Sequence, residues 1–104
     1  MNLLSEIVIV VNKINELHPE DPKIYEYWER LADLLSENEN ATILLLNELD
    51  SEDIVENLSS VFDDVSKNLQ SRDFILCLES LQNRYKNLEL AHMVQAAKDA
   101  LTED

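Results

Sequence analysis

Two constellations in this chain have residue types capable of chemistry, and a third residue is reactive by nature. The first is Glu89-Leu-Ala-His92. On a helix, Glu-x-x-His puts a carboxylate and an imidazole on one face, the arrangement with which di-iron bundles hold metal. Such bundles need a second pair and further glutamates on facing helices, and this chain has one pair. Glu89 is expected in the first turn of a helix, where an acid complements the positive end of the dipole. The second constellation is a run of carboxylates without a balancing base. From Leu31 to Ser66 there is no Lys or Arg, but Asp33, Glu37, Glu39, Glu48, Asp50, Glu52, Asp53, Glu56, Asp63 and Asp64 all fall there. General acid–base work needs a carboxyl perturbed by burial. Helical periodicity turns these side chains outward, so they read as surface charge rather than as proton carriers. The reactive residue is the lone Cys77. It lies among apolar neighbours and is expected in the core, where a free cysteine behaves as a small hydrophobe. His18 stands just before Pro19 at a helix end, where its expected role is to meet the negative end of the dipole. No Asp-x-Asp-x-Asp-Gly calcium loop is present. The reading is a non-enzyme with no metal and no cofactor.

The elements that position these groups are helices. The chain has 104 residues and no glycine, which weighs against tight hairpins, phosphate loops and dinucleotide fingerprints. Both prolines fall in the single stretch His18-Pro-Glu-Asp-Pro22. Residues 2–18 carry Leu3, Ile7, Val10, Ile14 and Leu17 at helical spacing. The β-branched run Ile7–Val11 also suits a buried strand, but the period continues past it and no turn residue bounds it. This first helix has the widest apolar face and is expected to be the most buried. Asp21 as cap and Pro22 as first residue open a second helix reaching about Glu37. Its inner stripe is Ile24, Tyr27, Trp28, Leu31, Leu34 and Leu35. Tyr25 falls off that stripe and is a candidate interface anchor. Asn38-Glu39-Asn40 is a turn, and Ala41–Leu49 reads as a short buried helix ending near Asp50.

The segment Ser51–Leu69 reads as one amphipathic helix. Ser51 caps it, Glu52 and Asp53 sit at its positive end, and Ile54, Leu58, Val61 and Val65 form its apolar stripe. Gln70-Ser71-Arg72 ends it, with Ser71 capping a fifth helix lined by Phe74, Leu78, Leu81 and Tyr85. Asn87 is a stop and restart before a last helix with Leu90, Val94, Ala97 and Leu101 inward. The tail Thr102-Glu103-Asp104 is expected to fray. The fold class is therefore all-α: residues 1–104 form a single helical domain, a compact array of five or six short amphipathic helices. No repeat of solenoid length is visible, so the array is irregular.

Charge narrows the partner. With 22 acids against 8 bases the formal charge is −14, which repels nucleic acid and anionic membrane and attracts a cationic protein. Acidity for solubility alone is the competing explanation. One cysteine fits a reducing compartment. The N-terminus Met-Asn-Leu-Leu-Ser-Glu lacks the positive start of a secretory signal, so the expected location is cytoplasmic. The expected partner-binding residues are Asp33, Glu37, Glu39, Asp50, Glu52, Asp53, Glu56, Asp63 and Asp64, with Tyr25 as aromatic anchor. A monomer is favoured.

The run Asn47-Glu-Leu-Asp-Ser-Glu-Asp-Ile54, then Val61-Phe-Asp-Asp-Val-Ser66, then Leu69-Gln-Ser71 with Phe74-Ile75, resembles small all-helical bacterial immunity proteins. These are encoded beside the secreted polymorphic toxins of contact-dependent growth inhibition and related systems. The resemblance spans Pro19 to Leu101 and rests on a pattern of residues. It implies a cytoplasmic protein that binds one cognate basic toxin domain, often a nuclease, and covers its active site. An RNase is the favoured toxin because phosphate-binding clefts are cationic. Two other roles fit the same composition. One is a helical adaptor that grips its partner through an apolar groove. The other is a DNA mimic with carboxylates spaced along an elongated surface.

Overall fold

Helix starts are written in the side chains that accept the first free backbone N–H groups. The computed structural model describes residues 2–102, and over these it is all-helical. Asn2 opens α1 (Leu3–Glu16) by accepting the Ser5 N–H at 2.8 Å. Asn38 does the same for Ala41 at the head of α3 (Glu39–Glu48), at 2.9 Å. Ser51 caps α4 (Glu52–Ser59) through Ile54, and Ser71 caps α6 (Arg72–Arg84) through Phe74. Each such cap is worth about 1 kcal/mol. The second helix, α2 (Ile24–Ser36), begins later than Pro22. Asp21 instead accepts the Lys23 N–H at 2.9 Å, and Pro22 and Lys23 form a turn that leads into the helix. His18 builds the turn before it, at Pro19 and Glu20: its Nδ1 accepts the Glu20 N–H at 3.3 Å and its carbonyl accepts the Asp21 N–H at 2.9 Å.

The single helix expected over Ser51–Leu69 is two helices. α4 ends at Ser59, and α5 (Phe62–Leu69) follows after a joint at Ser60 and Val61. Three local choices break it. Ser59 Oγ donates to the Glu56 carbonyl at 2.6 Å, drawing that acceptor away from the regular ladder. The Ser60 and Val61 N–H groups then reach only three residues back, to Asn57 and Leu58. Val61 leaves helical geometry at φ −118°, which lets the adjacent Val61 and Phe62 both become fully buried.

Gln70 closes α5 in the left-handed region at φ 47°, where a glycine or asparagine is the usual choice. A 3₁₀ turn, Lys86–Leu88, follows α6, and Glu89 behind it is also left-handed at φ 53°. The last helix is α7 (Ala91–Asp99). The described residues thus hold seven α-helices rather than five or six, the joint at 60–61 supplying one more.

One continuous core draws on all seven helices, centred on Phe62, Phe74, Leu31, Leu35, Leu58 and Leu78. α5 lies against α7 on one side and α2 on the other; α6 bridges α3 and α7; α1 lies along α2. α6 buries Phe74, Ile75, Cys77, Leu78 and Leu81 and leaves Leu76 exposed. α1, expected to be the most buried helix, buries Ile7, Val10, Val11 and Ile14 and leaves Leu4 and Ile9 exposed. α3 likewise buries Thr42 and Leu46 and leaves Leu44 outside, so it is half-buried only. Polar groups inside are matched: Ser66 Oγ donates to the Ala97 carbonyl at 2.6 Å, and Thr42 Oγ1 to the Leu35 carbonyl at 2.7 Å. Arg84 closes the far end of α3 by donating to the Leu46 and Asn47 carbonyls, a cation placed on the negative end of that helix. Thr102, expected to fray, is held by Gln70, whose Oε1 accepts both the Thr102 N–H and hydroxyl. Glu103 and Asp104 lie outside the described residues. No helix among the described residues is long and apolar enough to cross a membrane.

Candidate protein-binding face around Trp28

Trp28 stands half-buried on α2, at the point where two shallow grooves meet. The first runs between α2 and α5 and is lined by Tyr25, Glu29, Ala32, Asp33, Asp64, Lys67 and Asn68 beside Trp28. The second runs between α2, the end of α1 and α4, and includes Ile14, Ile24, Asp53, Glu56 and Asn57. The helix period explains the first wall: Tyr25, Glu29 and Asp33 recur every fourth residue along α2 and share one outward face. Tyr25 is 67% exposed and meets the Trp28 ring edge to face. On α4, Asp53 is held in place: its Oδ2 accepts from Asn15 Nδ2 at 2.9 Å, and its Oδ1 from Asn57 Nδ2 at 3.3 Å.

Five of the ten expected contact residues gather here: Tyr25, Asp33, Asp53, Glu56 and Asp64. The other five do not. Glu37 follows Ser36, whose hydroxyl accepts from Asn68 Nδ2 at 3.0 Å, so it sits at the rim of the face without lining it. Glu39, half-buried, starts α3. Asp50 lines a separate groove at the start of α1. Glu52 is turned toward the 3₁₀ turn, its Oε1 accepting from Asn87 Nδ2 at 3.1 Å. Asp63 is exposed and lines neither groove; its Oδ1 accepts the Asp64 N–H at 3.0 Å. The straight row of carboxylates expected along 51–69 is therefore interrupted, because its two halves belong to different helices.

Three residues of this face escaped sequence reasoning. Glu29 lies just outside the base-free run because Arg30 bounds it, although its spacing from Tyr25 and Asp33 was available as a signal. Trp28 fits the inner stripe of α2, and helical period alone does not show its exposed edge. Lys67 puts one cation into a groove that looked purely anionic from the 31–66 segment. The ion pairs Arg30–Glu6, at 3.7 Å, and Lys98–Glu79, at 2.8 Å, both engage acids outside that segment.

Glu89 and His92 do not share a helix face. Glu89 is left-handed and precedes α7, whereas His92 stands exposed in its first turn. Among the described residues no three His, Cys, Asp or Glu side chains converge as metal ligands would. Cys77 is buried in α6 with its Sγ 3.5 Å from Asn47 Oδ1 and 3.8 Å from the Ile43 carbonyl. Burial pushes the thiol pKa up, and the nearby Arg84 guanidinium offsets this in part. A thiol held neutral is a poor nucleophile. Over the described residues the molecule measures 40 × 28 × 26 Å with a radius of gyration of 12.9 Å, as expected for a compact chain of this size. No family model, no curated protein and no solved structure matches this chain.

Proposed function

We propose that this chain is an immunity-type inhibitor that neutralises a cationic toxin domain, an RNase being the favoured case, in the cytoplasm. The observation that carries the reading is the Trp28 face. Glu29, Asp33, Asp53, Glu56 and Asp64 surround an aromatic pair on one exposed surface. Aromatic anchors supply binding energy on burial, and the ring of carboxylates selects a partner rich in Lys and Arg. A nuclease cleft has that chemistry because it must hold phosphates. Carboxylates that occupy those cations displace the substrate without any catalytic step. Charge steering of this kind speeds encounter and weakens with salt.

The test is protection. A nuclease toxin domain encoded beside this chain is assayed on RNA with and without a stoichiometric excess of the purified protein. Protection is expected, with affinity falling as salt rises. Replacing Asp33, Asp53, Glu56 and Asp64 by Asn or Gln together is expected to weaken binding at least about tenfold at low salt. The same treatment of Glu37 and Glu39 leaves it nearly unchanged. A nuclease that stays fully active overturns the reading, and equal binding by the fourfold variant overturns this face as its seat.

A further inference from the structure

A second surface lies at the other end of α1. Leu3 and Leu4 of α1 face Ala41, Leu44, Leu45 and Leu49 of the α3 region across an open groove of about 470 Å³. Leu44 is 59% exposed and Leu4 43%, while Leu3 and Leu45 are half-buried between them and the core. Single exposed leucines are ordinary, but two flanking a continuous apolar floor make a patch. The fold does not require leucine at 44. The outward face of α3 carries Ala41, Leu44 and Glu48, and a polar residue there would leave the core untouched. The groove shares no lining residue with the Trp28 face, which meets α1 at Ile14 and Asn15, about 15 Å further along the helix.

Charge decides what fits. Among the described residues the charged lining groups are Glu48 and Asp50, with no Lys or Arg. A second copy of this chain would bring those acids against its own and add its −14 to the repulsion. We propose that the α1–α3 groove is the docking site for a basic amphipathic helix of a partner protein, one that buries an apolar stripe between Leu4 and Leu44 and sets Lys or Arg against Glu48 and Asp50. α3 is 10 residues long, about 15 Å, so the groove engages roughly three turns of such a helix. The mode is helix-in-groove recognition with anchors at i, i+3 or i+4, and i+7. This surface goes beyond the inhibitory face and stands without it.

The probe is a synthetic helical peptide of about four turns with leucines on one stripe and lysines on the flanks. It is titrated into the isotope-labelled full chain and followed by backbone amide shifts. Shifts centred on Leu3, Leu4, Leu44 and Leu45 are expected. Leu44→Ser, at an exposed position, is expected to keep the fold by circular dichroism and weaken binding about tenfold. The paired variant Glu48→Lys with Asp50→Lys is expected to weaken it as well, and it carries the test should Leu44→Ser unfold. A control peptide with the same leucines flanked by glutamates does not bind. Three outcomes overturn the proposal. The first is no binding, and the second is shifts confined to the Trp28 face, which mark plain charge attraction. The third is a dimer in sedimentation that Leu44→Ser dissolves, which makes a second copy the occupant.

Discussion

The Tyr25 and Trp28 rings meet edge to face, centroids 5.4 Å apart and planes 86° from parallel. Such a pair contributes about 0.5–1.5 kcal/mol beyond the area it buries. The two members differ in what else they do. Trp28 also packs on the core, whereas Tyr25 projects into solvent. Tyr25→Ala is therefore expected to cost about 1 kcal/mol or less. Trp28→Ala is expected to cost about 2 kcal/mol, below the range for a fully buried tryptophan. Urea unfolding of the two single variants and the double variant checks both values and the coupling between them. A large loss on Tyr25→Ala would mean that the tyrosine is structural and not available as an anchor.

Gln70 ties the end of α5 to the residues that follow α7. Its backbone is left-handed, and its Nε2 donates to the Ala100 and Lys67 carbonyls while its Oε1 holds Thr102. Gln70→Ala keeps the unfavourable backbone and removes the clasp, so a loss of about 1–2 kcal/mol is expected. Gln70→Gly removes the clasp too but accepts the left-handed geometry, recovering about 1 kcal/mol relative to alanine. Thermal unfolding checks the order. Hydrogen exchange at the end of α7 is expected to rise in both variants, since both release Ala100 and Thr102.

The buried Cys77 thiol predicts a pH dependence of stability. Its pKa is raised in the folded state by desolvation, with Arg84 pulling the other way. Below the ordinary thiol pKa both folded and unfolded chains keep the proton, and this contribution is fully present. As pH rises past that value the unfolded chain loses its proton first, so stability falls until the raised folded pKa is reached. The difference between wild type and Cys77→Ala is expected to shrink across that alkaline window, measured as urea midpoints. Aryl disulfide reagents, which need thiolate, are expected to react slowly with the native protein and rapidly once it is unfolded.

Much of the helical frame was legible in local patterns. Ser51 and Ser71 announce their helices by residue type, and the α2 stripe follows the helical period from Ile24 to Leu35. What stayed hidden depends on partners distant in sequence. The joint at Ser60 and Val61 pairs a local competitor, Ser59 Oγ, with the burial of Val61 and Phe62, and periodicity alone reads the stretch as continuous. Glu89 belongs to no helix because the chain turns left-handed there at a residue that is not glycine. The acids sorted themselves the same way. That they point outward follows from the helical period, but that Asp50 parts from Asp53 depends on where α1, α3 and α4 meet. Trp28 joins two grooves only once α4 and α5 have folded against α2.

The joint at 60–61 also changes what it takes to assemble so much like charge in one place. A continuous helix has a single amino end, so Asp63 and Asp64 would sit beyond mid-length, where the peptide groups ahead of and behind them cancel. Two helices have two amino ends. Glu52 and Asp53 occupy the first turn of α4, and Asp63 and Asp64 occupy the first turn of α5, each pair at the positive end of its own helix dipole. Splitting the segment therefore gives both pairs a partial positive neighbour supplied by the backbone. The electrostatic self-energy of the anionic surface is lowered by the backbone itself, in addition to what the Lys67 ammonium contributes from the last turn of α5.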